Sequence, residues 1–182
     1  ARCITTSPPN EAWVTDSPEF DTGKGTLYMA VVLDLFARRV VGWSASSSIH
    51  RSLMLTALSR AFDTRSGLAG LLHHSDRGSQ YTSADYQALL ASHRVTCSLS
   101  APGQCLDNAA MESFFGTLKE ELVSRRHFAT HEEARAALGQ YVEIFYNHKR
   151  RHSTLGYKSP ATFEAAYHRS RTPTATSLPA VH

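Results

Sequence analysis

Asp76 and Glu112 are the residues of this chain best suited to do chemistry. Asp76 closes the apolar run Leu71-Leu72-His73-His74-Ser75, Glu112 lies inside an amphipathic helix opened by Leu106-Asp107-Asn108-Ala109, and 35 residues stand between the two. Carboxylates delivered from a strand end and a helix face into one cleft suit a hard cation, because Mg²⁺ prefers oxygen ligands and keeps waters or substrate phosphates as the rest of its shell. Two such ions clamp the attacking and the leaving oxygen of an in-line phosphoryl displacement. A third carboxylate is needed, and Asp16 in Trp13-Val14-Thr15-Asp16 is the leading candidate. Asp34 is the reserve, with a pairing to Arg38 or Arg39 at a hairpin as its alternative role.

The elements that position these acids follow from periodicity. Leu27 to Phe36 reads as a buried strand, and Arg39-Val40-Val41-Gly42-Trp43 returns from it as a hairpin. Hydroxyls at 44 to 48 supply caps for a helix from about Ile49 to Asp63, with Ile49, Leu53, Ala57 and Ala61 on its core face. A strand over 68 to 74 leads to Asp76; a helix from Ser83 to Ser92 and a strand from Val95 to Leu99 follow. Ser100-Ala101-Pro102-Gly103-Gln104 reads as a mobile flap. In the next helix Met111, Phe115, Leu118 and Leu122 share one face, Glu112 borders that stripe, and Lys119 lies two turns along the same line. Thr130 and Glu133 form a capping-box pattern for a helix burying Ala134, Leu138, Tyr141 and Phe145, and a last short helix runs from Pro160 to about Tyr167. The expected organisation is a linker over 1–10, one catalytic-type unit with basic C-terminal helices over 11–168, and a disordered tail over 169–182.

Bulk properties narrow the class. At 182 residues, 42% hydrophobic and 19% charged, the chain suits one globular domain rather than a disordered or membrane protein. No apolar run reaches the roughly 18 residues a spanning helix needs, and no signal-peptide layout opens the chain, so a cytoplasmic, nucleoid-associated protein is expected. Cys3, Cys97 and Cys105 form no CxxC; free thiols are expected, since a zinc site built with His73 and His74 would lack short paired ligand spacing. Residues 141–171 carry six Lys or Arg against two Glu within a chain of net charge +3, so the positive charge concentrates near the C-terminal end. A basic lobe beside an acidic pocket suits a polyanion. No nucleophile elbow, P-loop or Rossmann glycine set is present, so neither a covalent intermediate on protein nor a small-molecule cofactor is expected.

Three strings carry a resemblance: His74-Ser75-Asp76-Arg77-Gly78-Ser79-Gln80-Tyr81, Asp107-Asn108-Ala109-Ala110-Met111-Glu112-Ser113-Phe114-Phe115, and Tyr146-Asn147-His148-Lys149-Arg150-Arg151-His152-Ser153. In type and order they resemble the integrase core of bacterial insertion-sequence transposases of the IS-three type, DDE enzymes related in fold to retroviral integrases, over about residues 10–167. The resemblance implies an α/β, ribonuclease-H-like fold with a mixed five-stranded sheet and helices on both faces. It implies that Asp16, Asp76 and Glu112 hold two Mg²⁺ or Mn²⁺ ions, that water frees a 3′-hydroxyl, and that this hydroxyl attacks target DNA. Insertion-sequence ends and target DNA are the implied partners, bound by a homo-oligomer. Arg77, Ser79, Gln80, Asn108, Lys119, Asn147, Lys149, Arg150, Arg151 and His152 are the candidate DNA contacts, with packing through Asn147 and Tyr157 as the other reading of the last string.

One departure matters. Relatives usually follow the first aspartate with Ile-Thr-Tyr-Ile, whereas this chain has Ser17-Pro18-Glu19-Phe20, and a proline without a ladder N–H predicts that the strand ends or bulges there. Because the chain opens at Ala1 without the helical DNA-binding segments usual in the family, a fragment is expected. Two alternatives stay open: a truncated or decayed copy that binds DNA without cutting it, and a nuclease of the same fold that hydrolyses RNA in hybrids.

Overall fold

The computed structural model describes residues 8–75, 81–99 and 108–171. Its strands are β1 (Ala12–Asp16), β2 (Glu19–Thr22), β3 (Gly25–Asp34), β4 (Arg39–Ser46), β5 (Leu72–Ser75) and β6 (Thr96–Leu99). Its helices are α1 (Arg51–Thr64), α2 (Ala84–Ser92), α3 (Asn108–Glu121), α4 (His131–Gly139) and α5 (Pro160–Arg171), with a π-helical continuation of α4 over Gln140–Tyr146. The sheet runs β2-β3-β1-β5-β6 with β4 on the other side of β3. β1 and β2 lie end to end along one side of β3, so the six segments fill five ladder positions.

Ser17-Pro18 interrupts this edge without shifting it. Asp16 faces Val31 and Glu19 faces Tyr28, three residues on in each direction, so the antiparallel register passes through the proline unbroken. Pro18 still accepts from the Met29 N–H at 2.9 Å, and only the bond its own missing N–H would make is lost. β1 ends at Asp16, just before the proline, as expected, and the register shift lies elsewhere, between β3 and β4 at Val32/Leu33.

β3 is buried on both faces. Leu27, Met29, Val31 and Leu33 enter a core with α3 and α4 residues Met111, Phe114, Leu118, Ala134 and Leu138, while Ala30 and Val32 enter a second core with Leu53, Met54, Ala57, Leu58 and Ala61 of α1. The result is a helix–sheet–helix sandwich, as a two-sided apolar strand requires. β1, β5 and β6 are mutually parallel, and α2 provides the crossover between the last two.

Helix α1 approaches the sheet at Gly42. A Cβ there would stand 2.2 Å from the Ala57 carbonyl oxygen and 2.7 Å from the Ala61 nitrogen, both backbone atoms that cannot swing aside. Gly42→Ala is expected to cost about 1–3 kcal/mol by forcing α1 off the sheet, measured as a lower urea midpoint at unchanged slope.

The outer edge of β4 is closed by side chains rather than by another strand. Asn147 accepts from the Val40 N–H at 3.0 Å and donates to the Val40 carbonyl at 2.9 Å, Thr64 donates to the Val41 carbonyl and Arg60 to the Trp43 carbonyl. Such capping removes the hydrogen-bonding groups on which a foreign strand would pair.

Several local expectations are corrected. β4 extends to Ser46 and α1 starts at Arg51 with His50 as N-cap, so the hydroxyls at 44 to 48 do not cap it, and Ile49 is 49% exposed rather than core. The strand expected over 68–74 is Leu72–Ser75. Phe145 is exposed, because the π-helical segment adds a residue to the turn and turns Tyr146, five residues after Tyr141, inward in its place. Half of the capping box forms: Thr130 Oγ1 accepts from the Glu133 N–H at 3.2 Å, while the Glu133 carboxylate accepts from the Ala129 N–H, one residue before the cap, at 3.0 Å. The last helix, expected to end near Tyr167, runs to Arg171, so 169–171 are helical rather than tail; the flap at 100–104 and residues 172–182 lie outside the described residues.

Candidate active site

Asp16 ends β1 and is half-buried, its Oδ1 accepting the Ser17 N–H at 2.7 Å. The neighbouring strand β5 runs parallel, with Val14 opposite His74, and ends at Ser75. Helix α3 packs over β1 through Met111, Phe114 and Leu118, which share a core with Val14. Glu112, one residue after buried Met111, is exposed on that helix, as is Lys119. Asp76, Arg77, Ser79 and Gln80 lie outside the described residues, and Asn108 is the first residue of α3. Among the described residues no group of three His, Cys, Asp or Glu is placed to hold a metal ion; Cys97 is a free thiol.

Asp34 is no substitute for Asp16. It lies opposite Trp13 toward the other end of β1, fully buried, and accepts the N–H groups of Asn10 (3.0 Å) and Phe36 (2.9 Å). Burial raises its pKa against those two bonds. The pairing expected with Arg38 or Arg39 is absent among the described residues; Arg39 lies 3.4 Å from Glu164 instead.

The basic string divides. Asn147 is the internal clamp on Val40 described above, so in place of the expected DNA contact it spends its amide on backbone. Arg150 Nε donates to both oxygens of Glu121 at 2.9 and 3.1 Å, and Tyr141 donates to the same carboxylate at 2.7 Å, tying the end of α3 to the π-helical segment. His152 is buried edge-on against Tyr146, and burial together with Arg150 and Arg38 pushes its pKa down to about 4, so it is neutral. These three were expected at the DNA and face inward because the string must first fasten α4 to the sheet. Lys149 and Arg151 are exposed.

A buried network that no local pattern announces lies behind the strand ends. His73 Nε2 is 2.8 Å from Thr15 Oγ1 and 3.1 Å from the Tyr86 hydroxyl, joining β1, β5 and α2 one residue before Asp16 and three before Asp76. The alternation of β5 points His73 inward, but its partner comes from a parallel strand 58 residues away. Burial drives the His73 pKa down to about 3. Both histidines titrate near 6.5 in the unfolded chain, so the unfolded state binds the extra protons as pH falls. Stability is therefore full above pH 6.5 and declines below it, at most about 1.4 kcal/mol per pH unit per histidine, until the folded values are reached. Urea midpoints between pH 7.5 and 4 should fall accordingly, and His152→Gln should flatten the decline.

A mixed sheet whose central strand carries an acid at its end, beside a parallel strand and under a helix bearing a second acid, defines the class: the fold is ribonuclease-H-like. Among solved structures, the HTLV-2 integrase catalytic core domain in complex with magnesium (trimeric form) matches with a TM-score of 0.64 at 17% identity, covering 87% of this chain and 98% of that one. The integrase core domain model matches residues 7–105 and a second integrase core domain model residues 93–160. The chain belongs to the integrase core family, in agreement with the resemblance to transposases of the IS-three type. It is 45% identical over 156 residues to the transposase for insertion sequence element IS904 of Lactococcus lactis, covering 86% of this chain and 62% of that protein. It is 46% identical over 158 residues to transposase InsF for insertion sequence IS3A of Escherichia coli K12, covering 87% and 55%. The chain thus spans less than two thirds of the length of these relatives. No described helix is long and apolar enough to cross a membrane.

Proposed function

We propose that this chain is the catalytic core of an insertion-sequence transposase that cuts DNA strands at the element's ends and joins them to target DNA. The observation that carries the reading is the placement of Asp16 at the end of β1, beside parallel β5 and beneath α3, which bears Glu112. Asp76 follows Ser75 directly, so one peptide bond ties it to the end of β5. The three acids are a hard-oxygen donor set of the kind Mg²⁺ or Mn²⁺ takes, and of them Asp16 is half-buried and Glu112 exposed. When bound, a pair of such ions activates the attacking oxygen and neutralises the leaving one.

The chain's own residues orient and hold. Strands β1 and β5, which carry the first acid and lead to the second, are joined through His73 and Thr15. Lys119, Lys149 and Arg151 are exposed and suited to phosphate oxygens; Arg77, Ser79, Gln80 and Asn108 are assigned the same task from sequence. The unbroken register through Ser17-Pro18 weighs against a decayed site, since Asp16 keeps its place on the ladder. By extension from the relatives, the protein acts as a homo-oligomer on DNA in the bacterial cytoplasm.

The test is joining of pre-cut insertion-sequence ends to a target plasmid with Mg²⁺ or Mn²⁺. Joined product that disappears in chelator supports the reading. DNA binding without joining under either metal would favour the binding-only alternative, and cleavage confined to RNA in hybrids would favour the nuclease.

A further inference from the structure

The loop between the π-helical segment and α5 holds an aromatic ring out of the fold. Tyr157 is 71% exposed, its ring meets no other aromatic ring, and its hydroxyl makes no hydrogen bond among the described residues. Its φ of +59° lies in the left-handed region, where a bulky side chain is a rare occupant, and Gly156 before it is left-handed too, at +62°. The loop is nevertheless held firmly: the His152 N–H donates to the Lys158 carbonyl at 3.1 Å, the Tyr157 N–H donates to the His152 carbonyl at 2.9 Å, and Leu155 is buried. Asn147 packs the string on the sheet, as one reading of the sequence had it, but Tyr157 does not. The fold therefore carries a left-handed tyrosine whose ring adds no packing, and strain of this kind gathers at sites of function.

Charge says what the ring is held out for. From residue 144 to residue 163 the chain has no Asp or Glu but four Lys or Arg. Arg150 is neutralised by Glu121. Lys149, Arg151 and Lys158 are exposed, and none has a carboxylate within salt-bridge distance among the described residues. The antiparallel bridge between His152 and Lys158 sets Arg151 and Tyr157, the chain neighbours of that pair, within one loop closure. A free aromatic face among uncompensated cations is how proteins hold single-stranded nucleic acid: the cations take phosphates, and the ring takes a base of any identity, since every base has a π-face. An apolar protein surface suits this loop poorly, because covering it strips water from cations with no carboxylate to meet them. The loop lies toward the end of the sheet where β3 turns into β4, since Asn147 clamps Val40, whereas Asp16 stands at the other end of β1. The DNA it meets is therefore apart from the phosphodiester at the acids.

We propose that Tyr157 stacks on an unpaired base of a DNA strand whose backbone phosphates are held by Arg151 and Lys158. This rests on the DNA reading above. The test measures fluorescence anisotropy of a labelled single strand of about 20 nucleotides, longer than the 4–16 nucleotides such sites cover, and of the matching duplex, without divalent metal, across a salt series. Tyr157→Phe, Tyr157→Ala, Tyr157→Gly and Lys158→Gln are compared with wild type, and a urea midpoint is recorded for each. Both positions are exposed, so the native fold is retained.

Tyr157→Ala is expected to weaken single-strand binding at least about fivefold with the slope of log K against log salt unchanged, because a ring lost from a base releases no counterion. Lys158→Gln should instead lower that slope by about one. Tyr157→Phe should bind like wild type, since the ring and not the hydroxyl makes the contact. Tyr157→Gly should lose affinity as Tyr157→Ala does while its urea midpoint stays at or above that of wild type, glycine being at ease in the left-handed region. Single-strand affinity unchanged in Tyr157→Ala overturns the proposal, as does an equal loss on the duplex, whose bases are already stacked. A lower midpoint in Tyr157→Gly would make the residue structural, and a changed oligomeric state by light scattering at unchanged DNA affinity would assign the ring to a protein contact; either overturns it too. Absence of DNA binding by wild type would instead overturn the DNA reading itself. Because no metal is present, failure of the catalytic acids leaves this measurement unaffected.

Discussion

Asp76→Asn is expected to reduce strand transfer by at least about 10³-fold while leaving affinity for insertion-sequence-end DNA within about threefold. An amide keeps the size of the carboxylate but supplies neither its charge nor its second anionic oxygen, so a hard cation loses a ligand. Metal stabilisation of a phosphoryl transition state is worth several kcal/mol, and each 1.36 kcal/mol is tenfold in rate, so losing about three such units sets the expected size. Glu112→Gln should behave in the same way, and it has a practical advantage. Glu112 is exposed on α3, where substitutions usually change stability by no more than about 0.5 kcal/mol, so lost joining at an unchanged urea midpoint is a loss of chemistry rather than of fold. Joining by either variant at the wild-type rate would remove that residue from the proposed site.

The second large effect concerns stability. Glu164 of α5 is buried, its carboxylate 5% exposed, and it pairs bidentately with Arg65, one bond being 2.9 Å from Nη2 to Oε2, while Arg39 stands 3.4 Å away. Burial raises the Glu164 pKa, but the two guanidinium groups outweigh it and hold it below the usual carboxylate value. This cluster anchors α5 to the end of α1 and the start of β4. Glu164→Ala leaves two cations without their partner, Arg65 nearly buried at 9% exposure, and breaking a buried pair in this way costs about 3–5 kcal/mol. Chemical denaturation would show the loss, and adding Arg65→Met to Glu164→Ala should restore part of it by removing the stranded charge. A Glu164→Ala midpoint within error of wild type would show that the cluster contributes nothing net. The depressed pKa also fixes the sign with pH: this contribution is present above about pH 4.5 and lost as pH falls through the folded value.

Much of the fold was readable because it follows from local periodicity. The apolar run at Leu27 to Asp34, the α1 stripe through Leu53, Ala57 and Ala61, and the Thr130 capping box each depend on residues within a turn or a strand of one another. Where local pattern and structure differ, the cause is tertiary. Phe145 was placed inside by a regular 3.6-residue count that the π-helical turn breaks, and Ile49 by a helix start that extended β4 displaced. Pro18 does end β1, at Asp16, as a residue without a ladder N–H requires, while neighbouring β3 carries the register across the break through the remaining ladder bond.

Of the candidate site, the chain alone determined which residue types could handle a phosphodiester: three carboxylates, a concentration of arginine and lysine near the C-terminal end, and no protein nucleophile. Side-chain chemistry is a property of the residue, so it survives without coordinates. What only tertiary structure decided is which of those groups face outward. Asn147, Arg150 and His152 look like Lys149 and Arg151 in a string of basic and polar letters, but partners more than 100 residues away at Val40, and nearer ones at Glu121 and Tyr146, turn the first three inward. Burial and pairing arise from long-range packing, which no short window of sequence contains.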